Sequence, residues 1–256
     1  MIIFNPFMFY KNPSVAFPRT AAYKKVREFL FKMDLSIKNN PKPTDNRYIL
    51  DELIKIQQII EETQLSSEPS RYANKAMIDV ITQIEEISDN LYLKESFGNK
   101  IRMDYGTGHE LNFLIYLYYI SEEFNVEFYL DNLWFYMGLV EKFIRKFNVE
   151  PAGARGCWSL NDYTLLGLVF GSSINELDPD KTENDVESSF FYFKYRDMWL
   201  NAMKQTNKNN KFIELVEKTQ NQGNIYFYKM YVEDILNKHV VTQHFIFSDK
   251  LTDEIL

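Results

Sequence analysis

The stretch DYGTGHELNFLIYLYYISEEF, residues 104–124, decides how the rest of the chain is read. From Glu110 to about Phe124 it is apolar on nearly every side, and the run Leu111 to Ile120 leaves no polar stripe for solvent. A helix that is hydrophobic all round belongs in the middle of a protein, so this segment predicts a central helix with others packed about it. The apolar run is about half of the ~20 residues a membrane span requires. In front of it, Gly106 and Gly108 flank Thr107. Glycine lets a ligand approach the backbone closely, and the helix that follows aims unpaired N–H groups at the loop, an arrangement suited to phosphate. Arg102 adds a permanent charge with a fork that matches phosphate oxygens. The same residues read equally well as a tight helix–helix connection, with Glu110 in the first turn offsetting the helix dipole.

Working outward, Tyr23, Val26, Leu30 and Met33 recur every three to four residues and predict a helix over Ala21 to Leu35. Ser36 to Asn46, with Pro41 and Pro43, reads as a loop. Ile49, Leu53, Ile56 and Ile60 mark a second helical face, ended by SSEPS at 66–70. Met77, Val80, Ile81, Ile84 and Ile87 mark a third. Downstream, helices are expected over Leu130 to Phe147, Tyr163 to Phe170, Phe190 to Met203, Phe212 to Lys218 and Tyr226 to Asn237. Glu150 to Gly156 is a loop, Ile174 to Ser189 an acidic surface loop, and Gln205 to Lys211 a mobile polar segment. No segment alternates long enough to predict a strand, and no repeat or linker divides the chain. The expected fold is all-α, a single compact multi-helix domain over 1–256, with about the first 20 residues peripheral.

Composition agrees. Aromatics make up 16% of the chain, against only 9 Gly and 8 Pro, too few for a turn-rich β-sandwich. The net charge of −7, without a dense Lys/Arg run, argues against a nucleic-acid partner, because counterion release needs clustered cations. A single cysteine, Cys157, excludes an internal disulfide and a thiolate zinc site. The proline-interrupted N-terminus has no leading cation and does not read as a signal peptide, so a cytoplasmic protein with no membrane partner is expected.

Familiar catalytic motifs are missing. A dinucleotide fingerprint needs a glycine where Leu111 stands, and the Walker loop, the HExxH spacing and the GxSxG elbow do not occur. Two further segments carry possible chemistry. In EPAGARGCWSLND, residues 150–162, Asp162 offers a hard oxygen and Gly156 a carbonyl for a divalent ion. Asp162 reads as well as the cap of the helix near Tyr163. In VTQHF, Gln243 and His244 bring donors and acceptors and Phe245 a ring able to stack on a base. The alternative is a C-terminal tail packed on the core.

These blocks occur in the order of one known family. RYANKA at 71–76, SFGNKIRMDYGTGHEL at 96–111, EPAGARGCWSLNDY at 150–163, FGSS at 170–173, KMYVEDIL at 229–236 and VTQHFIF at 241–247 resemble the signature blocks of the phosphotyrosyl phosphatase activators. The resemblance implies an all-helical fold with core, linker and lid parts. It implies activation of serine/threonine protein phosphatase 2A through its catalytic subunit, with ATP and magnesium at the interface, and cis–trans isomerase activity on proline-containing peptides. It places nucleotide contacts on Arg102, Thr107, Gly108, Gln243, His244 and Phe245, and magnesium at Gly156 and Asp162. It places the catalytic element at Asp104, Gly106, His109 and Glu110, with Asp104 the most sensitive position. The cellular place it implies is the cytoplasm or the nucleus.

Overall fold

The computed structural model describes residues 9–39, 44, 47–152, 164–178, 180, 186–198 and 224–256, apart from the side chains of 186–190 and 224. The central helix is α5, Thr107–Ile120. Leu111, Phe113, Leu114, Ile115, Tyr116, Leu117 and Tyr119 are all buried, as its lack of a polar stripe requires. It begins three residues before Glu110 because the glycine loop itself forms the first turn, and it ends at Ile120, where Ser121 is extended.

Around it stand α1 (Ala21–Asn39), α2 (Asp51–Glu62), α3 (Ala76–Ile87), the short α4 (Leu91–Lys94), α6 (Val126–Phe147), α7 (Leu166–Asn175), α8 (Val186–Tyr195), α9 (Asn224–Tyr231) and the short α10 (His239–Thr242). A π-helical turn, Val232–Leu236, continues α9. The class is all-α: among the described residues the strands are two residues each, β1 (Tyr10–Lys11), β2 (Asp104–Tyr105), β3 (Glu150–Pro151) and β4 (Ile246–Phe247).

Several boundaries depart from the expected ones, each for a physical reason. Helix α1 runs to Asn39 because Ile37 falls on the stripe of Val26, Leu30 and Met33 and is fully buried. Helix α6 starts at Val126, since the Asn125 side chain accepts from the Glu127 and Phe128 N–H groups and caps it. Asn148, in the left-handed region at φ 51°, closes it. Helix α7 extends to Asn175, with every residue from Leu166 to Ile174 buried. The acidic segment after it is not all surface: Leu177 and Asp178 are buried, and α8 already begins at Val186. The segments 205–211 and 212–218 lie outside the described residues.

The N-terminal residues from Phe9 onward are not peripheral. Tyr10 and Lys11 pair antiparallel with Phe247 and Ile246. Phe17 is buried and stacks on Phe245 with ring centroids 4.0 Å apart. Tyr10 and Asn12 both donate to the Asp253 carboxylate, at 2.9 and 2.6 Å. Aromatic rings fill much of the interior; the tightest pair, Phe113 on α5 and Tyr136 on α6, is stacked at 3.8 Å.

Candidate functional site

The site is built on a turn that precedes α5. Gly98 sits at φ +101°, where a Cβ would meet the Asp104 carbonyl oxygen at 2.7 Å. Across this turn the Asn99 N–H donates to the Asp104 carbonyl at 3.0 Å, and the Met103 N–H to the Asn99 carbonyl at 2.7 Å. The Asn99 side chain accepts from the N–H groups of Ile101 and Arg102. Arg102 and Asp104 are thereby held on one rim.

Asp104 and Tyr105 then form β2, parallel to Glu150 and Pro151. The Ala152 N–H donates to the Tyr105 carbonyl at 2.6 Å. Gly106 is required here by space: a Cβ on it would lie 2.8 Å from that of Ala152. Gly108, in the first turn of α5, faces Val241 of α10; a Cβ there would lie 3.6 Å from the Val241 carbonyl oxygen. Three stretches far apart in sequence, 102–108, 150–152 and 239–245, thus meet at the N-terminus of α5.

Asp104 carries the clearest chemical signal. One oxygen, Oδ2, accepts from the Arg102 guanidinium Nε at 3.0 Å. The other, Oδ1, is buried and has no hydrogen-bond partner among the described residues. A buried acceptor left empty costs about 1–3 kcal/mol. Arg102 is half exposed, Thr107 and Gly108 are half-buried, and Gln243 and His244 are exposed. The open rim therefore carries a cation, a carboxylate oxygen and the first N–H groups of a helix.

Three of the expected site residues sit elsewhere. His109 is buried, with Nδ1 2.7 Å from the Glu95 carbonyl oxygen. A carbonyl only accepts, so Nδ1 carries the proton. Burial pulls its pKa below the ordinary imidazole value, which keeps the ring neutral. Glu110 is fully buried, and its carboxylate accepts from the N–H groups of Leu165 and Leu166 at 2.9–3.1 Å. Both residues lie beneath the loop, which removes them from the open side where the catalytic reading placed them. Phe245 is buried with its ring against Phe17 and edge-on to Phe247, so that stacking face is already taken. Gly156 and Asp162 lie outside the described residues. Among the described residues no group of three or more His, Cys, Asp or Glu side chains is placed to hold a metal ion, and no helix is long and apolar enough to cross a membrane.

A sequence model described as Phosphotyrosyl phosphate activator (PTPA) protein matches residues 9–253. The chain belongs to this family. A serine/threonine-protein phosphatase 2A activator of Encephalitozoon cuniculi is 38% identical over 240 residues, covering 93% of this chain and 94% of that protein. A probable serine/threonine-protein phosphatase 2A activator 1 of Dictyostelium discoideum is 26% identical over 279 residues, covering 92% and 86%. Among solved structures, the PP2A phosphatase activator Ypa1 PTPA1 superposes with a TM-score of 0.68 over 96% of each chain, at 19% identity, a likeness of fold.

In this member of the family the sequence reading missed the support under the loop. The Tyr136 hydroxyl donates to the Ser96 carbonyl at 2.5 Å, so it must accept from Tyr105, whose hydroxyl is 2.6 Å away. Tyr231, at the join of α9 and the π-turn, is fully buried, with its hydroxyl unpartnered among the described residues. Burial first, with the Glu110 charge among the further causes, holds Tyr105, Tyr136 and Tyr231 protonated far above the ordinary phenol range. Tyr231 lies inside the block KMYVEDIL, but nothing local distinguishes it from the other core tyrosines. Only the structure marks the place, by the π-turn that follows it, a device that recurs at functional sites.

Proposed function

We propose that this chain activates a serine/threonine protein phosphatase of the 2A class by binding its catalytic subunit, with ATP and magnesium held at the α5 loop and with cis–trans isomerase activity on X–Pro bonds. The observation that carries the reading is the meeting of 102–108, 150–152 and 239–245 at the N-terminus of α5, with Asp104 in the first of these stretches and its buried Oδ1 without a partner among the described residues. Membership of the family and the likeness to phosphatase 2A activators support this choice of partner.

The residues present suit a nucleotide with its metal. The first N–H groups of α5, Arg102 and Thr107 suit phosphate oxygens, and the exposed Gln243 and His244 offer polar contacts beside them. Phe245 contributes through its backbone and by fixing this tail against Phe17. The empty Asp104 oxygen suits a cation or a donated proton. Gly156 and Asp162 are the proposed metal positions. When bound, the nucleotide and metal supply charge at the contact with the phosphatase, and the chain's own residues orient them.

For the isomerase, the Asp104 oxygen accepts from a peptide N–H and holds the substrate beside the bond that turns. Rotation crosses a barrier of about 18–20 kcal/mol, and only a surface that holds the twisted amide more tightly than the planar one lowers it. One observation favours a second reading, a phosphatase-binding protein with no turnover of its own: His109 and Glu110, the other ionisable groups of the motif, are buried and engaged. Turnover of a proline-containing test peptide separates the two, since no acceleration at high protein concentration would leave the binding reading alone. The phosphatase role itself is tested by capture and reactivation of the 2A catalytic subunit with wild type and Asp104→Asn. We expect a reactivation loss of tenfold or more; equal capture and equal reactivation by both would sink the role given to the loop. The proposed cellular place is the cytoplasm or nucleus.

A further inference from the structure

Between α6 and α8 lies a cavity of about 170 Å³, lined by Arg47, Ile49, Asp131, Trp134, Phe135 and Tyr195. None of these residues belongs to the three stretches that meet at α5. Asp131 and Tyr195 are buried, Ile49, Trp134 and Phe135 are half-buried, and Arg47 is exposed. The cavity therefore opens to solvent on the side of Arg47. Asp131, Trp134 and Phe135 stand at i, i+3 and i+4 on α6, which places them on one face of the helix.

The walls are held in place from within the chain. The Asn132 side chain accepts from the Leu50 N–H at 2.9 Å and donates to the Tyr48 carbonyl at 2.7 Å, so the segment carrying Arg47 and Ile49 is tied to α6. The Tyr195 hydroxyl donates to Asp131 at 2.7 Å and ties α8 to the same helix. A shape fixed in advance lowers the ordering cost of whatever binds.

Size, lining and charge together name the occupant. An apolar cavity of about 150 Å³ holds one benzene ring, whereas sites for whole small molecules run to roughly 300–1,000 Å³. This cavity thus suits a single anchoring side chain of a longer chain. Its rings favour an aromatic one, edge-on or offset-stacked. Three rings beside a carboxylate also resemble a cage for a quaternary ammonium. Here, however, Asp131 already accepts from Tyr195 and the Tyr48 N–H, with Lys194 3.7 Å away. The cation left at the opening is Arg47, whose guanidinium has no ion pair among the described residues. It repels an ammonium and suits a carboxylate. We propose that this cavity docks an acidic peptide segment of a partner protein, with one aromatic side chain inside it and a flanking carboxylate on Arg47.

The test titrates the full chain with the capped peptide EEFEE and follows the Trp134 indole N–H signal by NMR, assigned by its loss in Trp134→Phe. We expect saturable binding with a Kd at or below about 1 mM, at least tenfold weaker for the peptide EEAEE. Arg47→Glu should bind EEFEE at least tenfold more weakly than wild type and the peptide KKFKK at least tenfold more tightly. Trp134→Ala should lose EEFEE binding tenfold as well. Should that variant fail to fold, Arg47→Glu decides alone, since its side chain is exposed and the reversal spares the core. No saturable binding of EEFEE overturns the proposal, and so does equal binding by wild type and Arg47→Glu. Phenylacetate binding as tightly as EEFEE overturns it in favour of a small-molecule site. Tighter binding of a trimethyllysine peptide overturns it in favour of an ammonium cage.

Discussion

Two carboxylate clusters on this chain are satisfied in opposite ways. Between α6 and α8, Glu127 accepts from the Thr44 N–H with both oxygens and from Lys194 at 2.7 Å. One turn on, Asp131 accepts from the Tyr195 hydroxyl at 2.7 Å and the Tyr48 N–H at 3.3 Å, with Lys194 3.7 Å away. The three side chains are 6%, 1% and 13% exposed. At the α5 loop, Asp104 pairs through Oδ2 with a half-exposed Arg102, and its Oδ1 stays empty among the described residues. The α6–α8 cluster is completed within the chain and serves to join two helices. The loop cluster keeps one buried acceptor without a partner among the described residues. Incompleteness, more than charge or burial, is what sets the loop cluster apart from the structural ion pairs, and the proposed site rests on it.

The comparison breaks most visibly at Lys194. Replacing it with methionine strands Glu127 and Asp131 without their cation, and removing one partner of a buried pair costs about 3–5 kcal/mol. A urea midpoint should fall accordingly, while phosphatase reactivation per folded molecule stays at the wild-type level. A loss below about 1 kcal/mol would mean that this cluster is no more structural than a surface pair. Gly106→Ala comes next. Its new Cβ would stand 2.8 Å from that of Ala152 and force β2 and β3 apart. Overpacking of this kind costs about 1–3 kcal/mol, and because the displaced strand carries Asp104, reactivation should drop as well. Asp104→Asn is the converse of Lys194→Met. Its ion pair is with a solvent-screened arginine, so stability should change by less than about 1 kcal/mol. Reactivation should fall tenfold or more. Thermal unfolding and reactivation measured on the same preparations would show whether the two losses separate as the clusters do.

How far this division was legible in sequence depends on the range of each interaction. The all-α class followed from local periods and from one helix without a polar face. The loop's glycines, Arg102 and Asp104 were legible because their partners lie within a few residues, as in the Arg102–Asp104 pair. The bonds of Glu110 were not legible because its partners, the N–H groups of Leu165 and Leu166, stand 55 and 56 residues away and belong to the backbone, which sequence patterns do not report. The packing of Phe245 was hidden for a similar reason: nothing near it announces that Phe17 covers its ring. Helix ends failed where one buried residue outvoted polar neighbours, as Ile37 does beyond Leu35. Pairs of two-residue strands are too short to leave any period at all.

His109 gives the smallest effect and sharpens the comparison from below, since it is the one buried histidine against the loop cluster. The groups that act on it are the Glu95 carbonyl and carboxylate, Asp104 and Arg102, but burial is the largest influence and lowers its pKa in the folded chain. The unfolded chain has the ordinary value near 6.5, so just below that pH it binds a proton that the folded chain refuses. Stability from this residue is therefore complete above about pH 6.5 and is lost as the pH falls through the window below it, at no more than about 1.4 kcal/mol per pH unit for one group. His109→Gln keeps a donor for the Glu95 carbonyl but cannot titrate. The exposed His239 and His244 are common to both proteins and cancel in the difference. Urea midpoints at pH 7.5, 6 and 5 should show the wild type losing more than the variant, with the gap opening only below pH 6.5. Parallel curves would place His109 in contact with water, and the loop would then rest on a wetter base than the neutral, Nδ1-protonated ring described here.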